Sequence, residues 1–279
     1  MIPWLAALSC LCALSLSAAQ MPQPAQQPQK QVPGSPAPAT APGGPLGPPT
    51  IPIEQIIQKF AAKEAQFKIE RDNYTYTQKY LIETLDSDGH PDGKYQMNSE
   101  IVFTPEGKRY EHVTYAPEPT LTRISLSEQD FNDLENVQPF VLTTSELPKY
   151  NITYVDHEPL DELNTYVFDV GPKKIEKGQR YFQGRIWVDD KDFAIVKTDG
   201  KAVPDIRKGG QENLFPRFET FRENIEGNYW FPTYTRSNDV LHFSEGDIPI
   251  RMTVRYENYK RFGVTVKIGK PTETNQNKK

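Results

Sequence analysis

The side chains able to do acid–base or metal chemistry are few and scattered. His90, His112, His157 and His242 stand at separations that match no metal-binding or catalytic spacing. They read as surface or strand-face residues. Asp86, Asp88 and Asp92, with Gly89 and Gly93, could turn oxygens towards calcium. An EF-hand-type loop, however, needs a glycine at one set position and a distant glutamate, and neither falls in place. An ordinary Asp/Gly turn accounts for the residues, and also for Asp189, Asp190 and Asp192. The chain has no G-x-S-x-G, H-E-x-x-H, Walker-type loop or G-x-G-x-x-G. It is expected to be no enzyme and to hold no cofactor or metal. A hydrolase with an acid pair outside any motif is the alternative, and it needs two carboxylates converging within about 5–10 Å.

Apolar chemistry is better represented. Tyr and Phe number 14 each, and Trp187 and Trp230 fall in the β-rich part. Aromatic residues favour strands for packing reasons alone, so a filled core is the plain reading. The functional alternative is an open apolar cavity able to host acyl chains, at about 0.8 kcal/mol for each CH₂ taken from water. Its candidate lining is Tyr95, Met97, Ile101, Phe103, Ile186, Trp187, Ile250, Met252 and Val254.

These residues need a sheet and something to cover it. Residues 53–71 place Ile53, Ile56, Ile57, Phe60 and Phe67 at helical spacing behind Pro52, a residue tolerated at a helix start. From Tyr74 the period becomes two. The loop 86–93 turns that strand onto 94–104, and 105–107 turn again into 109–116. Ser127 and Asp130 form a capping box for a short helix over 127–137, with Phe131 and Leu134 on its apolar side. Strands follow at 151–158, 163–171, 217–225, 229–240 and 248–258. In the last, Ile248, Ile250, Met252, Val254 and Tyr256 share one face and Arg251, Thr253, Arg255 and Glu257 the other, the mark of an antiparallel sheet wetted on one side. Asn73 and Asn151 open glycosylation sequons but read as strand-entry residues. The fold class is mostly β (α+β): a strongly curved antiparallel sheet, a half-open barrel, covered by an N-terminal helix and short plug helices.

Residues 1–19 read as a secretory signal peptide, with an apolar run over 5–18 and small residues Ser17-Ala18-Ala19, although no Lys or Arg precedes Lys30. The run is short for a membrane span. Cys10 and Cys12 are the only cysteines. An acylated Cys10 is an alternative, but the apolar stretch ahead of it is short for that. The exported chain would then carry no disulfide. Residues 20–52 form a Pro/Gln-rich disordered tether tending to polyproline II, or less simply a docking peptide. Residues 53–263 form one β domain, and 264–279 a polar C-terminal tail. Net charge is −5 with the signs interspersed, which argues against nucleic acid.

The segment 180–203 is the most specific. Two β-rich runs, 181–188 and 193–203, flank Asp189-Asp190-Lys191-Asp192 as a hairpin. Ile186-Trp187-Val188-Asp189, the acidic turn and a returning strand with a Lys resemble the mid-sheet hairpin of the LolA/LolB-like lipoprotein-carrier superfamily. That resemblance implies a hydrophobic cavity and a non-enzymatic role in carrying or sensing lipids or lipoprotein acyl chains, as in lipoprotein sorting. It also implies a periplasmic location. The Pro/Gln-rich tether departs from a freely diffusing carrier, puts shuttling in doubt, and is expected to hold the domain to an envelope membrane. A monomer with an envelope protein as a further partner is expected. The rival reading is a non-enzymatic envelope scaffold whose core is fully packed.

Overall fold

A computed structural model describes residues 46–104, 107–208, 211–227 and 229–262. The segments read as signal peptide and C-terminal tail, and most of the one read as tether, lie outside these residues, as do Cys10 and Cys12. Helix α1 (Ile53–Arg71) is followed by β1 (Tyr74–Leu85), β2 (Pro91–Phe103), β3 (Arg109–Tyr115), α2 (Glu128–Asn136), β4 (Tyr150–Leu160), β5 (Leu163–Pro172), β6 (Tyr181–Asp189) and β7 (Ile195–Val203). The short strands β8 (Ile206–Lys208) and β9 (Gln211–Asn213) precede β10 (Phe218–Ile225), β11 (Tyr229–Phe243) and β12 (Gly246–Arg261).

The fold is mostly β. Ten strands make one open antiparallel sheet in the order β3-β2-β1-β12-β11-β10-β7-β6-β5-β4, and β8 pairs with β9 alone. Hairpins make most of the neighbours, but β1 pairs with β12, so the N-terminal strand lies mid-sheet beside the last. The two edges, β3 and β4, are consecutive in the chain. Residues 116–149 must therefore pass from one edge to the other, and this connection carries α2.

The strands bury one face. Tyr80 and Ile82 of β1, Phe168 and Val170 of β5, Ile186 and Val188 of β6, and Ile250, Met252 and Val254 of β12 form one core with Ile56, Ile57 and Phe60 of α1 and Leu134 of α2. Gln78 and Thr84 of β1 face the same way and are buried too. The cover is fastened by two buried ion pairs. Glu64 of α1 meets Arg222 of β10 at 2.8 Å, and Arg180 Nε reaches Asp133 of α2 at 2.9 Å. Around α2 the capping box forms as the sequence predicts: Ser127 N–H donates to Asp130 Oδ2 at 2.7 Å and Asp130 N–H to Ser127 Oγ at 3.2 Å.

Two features depart from the sequence reading. The hairpin β8–β9, three residues a side, is too short to show a period. The folded unit also begins ahead of Ile53. Ile51 packs against the core and the Gly47 carbonyl lies 2.9 Å from His157 Nδ1, so the end of the segment read as tether is fixed to β4.

In the hairpin β6–β7, Gly184 and Gly200 stand opposite each other. A Cβ on Gly184 would lie 2.2 Å from the Asp199 carbonyl oxygen and 2.4 Å from Gly200 Cα, both backbone atoms that a side-chain rotation cannot move. Gly171 of β5 would meet only the Gln183 side chain, at 3.6 Å. Gly184→Ala is therefore expected to cost about 2–3 kcal/mol in denaturant unfolding, and Gly171→Ala under about 1 kcal/mol. Equal costs would show that the two strands do not approach this closely.

Candidate functional site

Two clefts open on the covered side, one at each end of α2. The first has a volume of about 690 Å³, inside the roughly 300–1,000 Å³ common for small-molecule sites. Its floor is Ile82, Leu134, Leu214, Leu241, Ile250 and Met252. Each of these belongs to the buried apolar core. The walls come from three segments: residues 122–126 of the edge-to-edge connection, 212–216 spanning the end of β9 and the loop after it, and 243–248 around the β11–β12 turn.

Polar groups form the rim and are mostly tied down. Arg123 binds the Leu85 carbonyl and Asp92. Glu212 accepts from Ser244 N–H at 2.7 Å and pairs with Arg207. Asn213 Nδ2 donates to Asp130 Oδ1 at 2.8 Å, linking β9 to the start of α2. An apolar floor under an ordered polar rim suits an amphiphile: the floor removes hydrocarbon from water while the rim stays solvated.

The second cleft, about 500 Å³, lies past the other end of α2 and is lined by Arg71, Phe103, Arg109, Glu135, Tyr150 and Tyr256 among others. Its wall is more polar. Arg109 bridges Glu111 and Glu135 at 3.1 and 3.3 Å, and the Arg71 guanidinium lies over the Phe103 ring at 5.6 Å.

Of the nine candidate lining residues, Ile250 and Met252 line the first cleft and Phe103 the second. Ile186 and Val254 are wholly buried in the core, with Tyr95 and Met97 packed against it, and Ile101 is buried. Trp187 is a correction. Successive strand residues point to opposite faces, so Trp187 cannot share a cavity with Ile186. It packs outside with Val167 and Val196, its Nε1–H donating to Glu158 at 2.7 Å and Lys197 lying 4.5 Å from its ring centroid. The sequence reading missed the cleft walls at 122–126 and 212–216, whose only signal was a lack of period. In the 86–93 loop, Asp86, Asp88 and His90 hold possible ligand atoms within 4.8 Å of one another. Yet Asp86 Oδ1 accepts the backbone N–H of both Asp88 and His90 at 2.9 Å, the role of a turn residue.

The sequence matches no protein-family model and no curated protein. Among solved structures, the chain is similar to a DUF1329 family protein from Desulfovibrio piger at 14% identity and a TM-score of 0.37, covering 76% of this chain and 94% of that one. It is also similar to MucB, at 10% identity and a TM-score of 0.27 over 73% of this chain and 92% of that one. MucB in complex with MucA(peri) gives 10% identity and a TM-score of 0.24, covering 74% and 98%. At these scores the likeness transfers no residue role.

Burial raises several phenols near the second cleft. It pushes Tyr150 up to about 12 and holds Tyr80 and Tyr259 well above the ordinary value. A raised phenol keeps its proton in the native state after the unfolded chain begins to ionise near pH 10. The stability it contributes is therefore complete below about pH 10 and is lost as pH climbs through the native values. Alkaline titration followed by tyrosinate absorbance is expected to leave a group of tyrosines protonated past pH 10. These should then ionise together with the loss of near-ultraviolet circular dichroism, at higher pH than the exposed tyrosines. One smooth transition near pH 10 with the fold intact would contradict their burial.

Proposed function

We propose that this chain is an exported, non-enzymatic protein of the bacterial cell envelope, of LolA/LolB-like kind, that holds an acyl chain of a lipid or lipoprotein in the first cleft. The observation that carries this reading is the floor of Ile82, Leu134, Leu214, Leu241, Ile250 and Met252 beneath an open, polar-rimmed mouth. Laying about eight methylenes on it would contribute roughly 6 kcal/mol before the cost of association. Lipoprotein sorting or sensing is the role that fits such a grip, and an envelope protein would deliver or receive the cargo.

The rival, a packed scaffold, draws on the edge strand β3, where Tyr110, Val113 and Tyr115 are exposed. Such an edge can add a strand from a partner.

Native mass spectrometry with lipid extraction on the purified protein tests the reading, together with uptake of the uncharged fluorophore N-phenyl-1-naphthylamine. A co-purifying lipid, or saturable uptake, is expected. Ile248→Trp fills the mouth from a half-buried wall position, so it should weaken uptake at least tenfold while leaving the melting temperature within a few degrees. A clean unliganded mass with no uptake would favour the scaffold.

A further inference from the structure

The His157 ring of β4 sits between two hydrogen-bond acceptors. Its Nδ1 lies 2.9 Å from the Gly47 carbonyl oxygen, and its Nε2 lies 3.3 Å from Asp190 Oδ2 in the β6–β7 turn. The two side chains are only 12% and 17% exposed, so water does not freely replace either contact. Asp190 meets no lysine or arginine among the described residues, and its other oxygen, Oδ1, is buried without a hydrogen-bond partner.

The groups around the ring do not supply a substitute proton. Tyr166 of β5 lies against it with ring centroids 4.5 Å apart, and burial raises that phenol, which keeps it neutral. On β4 itself, Asp156 accepts the His157 backbone N–H at 2.7 Å and Glu158 accepts from Trp187 at 2.7 Å. Asp161 and Glu162 are exposed on the turn into β5. From α1, Lys59 lies over Phe193, which stacks on the far side of Tyr166.

A neutral imidazole has one N–H and one lone pair, so it serves Gly47 or Asp190 and turns a lone pair on the other. An imidazolium donates to both at once. The Gly47 contact bears on a whole segment. Pro48, Pro49 and Pro52 bring no N–H to bond with the sheet, and Ile51 is the residue that packs on the core. We infer that His157 is a proton-dependent clasp, which when protonated fastens residues 46–52 to β4 and the β6–β7 turn and when neutral lets them go. Histidines change charge between about pH 5 and 8, so the clasp is closed on the acid side of that range and open on the alkaline side. Opening it moves the point where the preceding chain joins the domain from β4 to the start of α1, by up to about 20 Å. None of this depends on what the first cleft holds.

Proteolysis reads the clasp directly. The rate at which proteinase K cuts within residues 46–52 of the full-length protein is divided, at each pH, by its rate on a free peptide of residues 44–54. That division cancels the pH dependence of the protease. A hydrogen bond to a charged group changes an equilibrium about tenfold or more, so the ratio should rise at least about tenfold from pH 5 to pH 8. The amide of His157→Gln does not titrate and cannot donate to both acceptors, so its ratio should be high and flat. Asp190→Asn lets a neutral ring donate to Gly47 and accept from the new amide, so its ratio should be low and flat. Both variants should melt within a few degrees of the parent. In the ¹⁵N spectrum of the unaltered protein at pH 5, both ring nitrogens of His157 should carry a proton. A flat ratio in the unaltered protein, a rise that persists in His157→Gln, or a singly protonated His157 ring at pH 5 would each overturn the inference.

Discussion

The Arg222 guanidinium holds three parts of the molecule together. It rises from β10 in the middle of the sheet, binds Glu64 of α1, donates to the Phe140 carbonyl in the edge-to-edge connection and lies 5.1 Å from the Phe67 ring centroid. Arg222 and Glu64 are both almost completely buried. Burial pushes the Glu64 carboxyl up, and the adjacent guanidinium pulls it back. Desolvation consumes most of the attraction in such a pair, so its net contribution to stability is small. Removing one partner is another matter: it leaves a charge in apolar surroundings at a cost of about 3–5 kcal/mol, a large part of the roughly 5–15 kcal/mol that keeps a domain folded. The pair therefore acts as a register device. An apolar helix can slide on an apolar sheet face at little cost, but one carrying Glu64 has a single seat.

The same logic extends to α2, whose only apolar anchors are Phe131 and Leu134. Nine residues with two greasy contacts would not stay on a sheet unaided. Asp133–Arg180, Glu135–Arg109 and Asp130–Asn213 tie the helix to three different elements. Held at that point by polar bonds, α2 fills the middle of the covered face and leaves space at both ends. The clefts follow from how the helix is fastened. A plug held by apolar contacts alone would be driven to fill the whole face, because each buried methylene is favourable.

Local signals were legible in the sequence and non-local ones were not. The helix 53–71 and the Ser127–Asp130 capping box were readable because they depend on neighbours three or four residues away. The burial of Ile250, Met252, Val254 and Tyr256 was readable from period two. The pairing of β1 with β12 was not, because nothing in either strand names a partner about 170 residues distant. Ile186 and Trp187 show the limit most clearly: both are apolar and adjacent, and composition alone offered them to one cavity, whereas the pleat sends them to opposite faces. The cleft stayed hidden for a related reason. Its floor draws on β1, α2, β11, β12 and the loop at Leu214, and its walls come from three separate parts of the chain, so no single run of period-two residues marks it.

An open ten-stranded sheet also has two edges to manage. Both edge pairs carry irregularities: the β2–β3 register shifts between Asn98 and Ser99, and the β4–β5 register between Tyr154 and Asp156. Pro159, near the end of β4, removes a backbone donor there, and Arg109 and Glu111 place charge along β3. These features discourage unlimited strand addition, but they do so unequally. Both edge strands carry a bulge, but only β4 adds a proline, whereas β3 keeps Tyr110, Val113 and Tyr115 exposed over seven residues. The unequal edges differ in how open they are to an added strand. β3 runs on directly into residues 116–126, whose last part walls the first cleft. A partner strand added at β3 would press on the start of that wall, so docking at the edge and the opening of the cleft share one piece of chain.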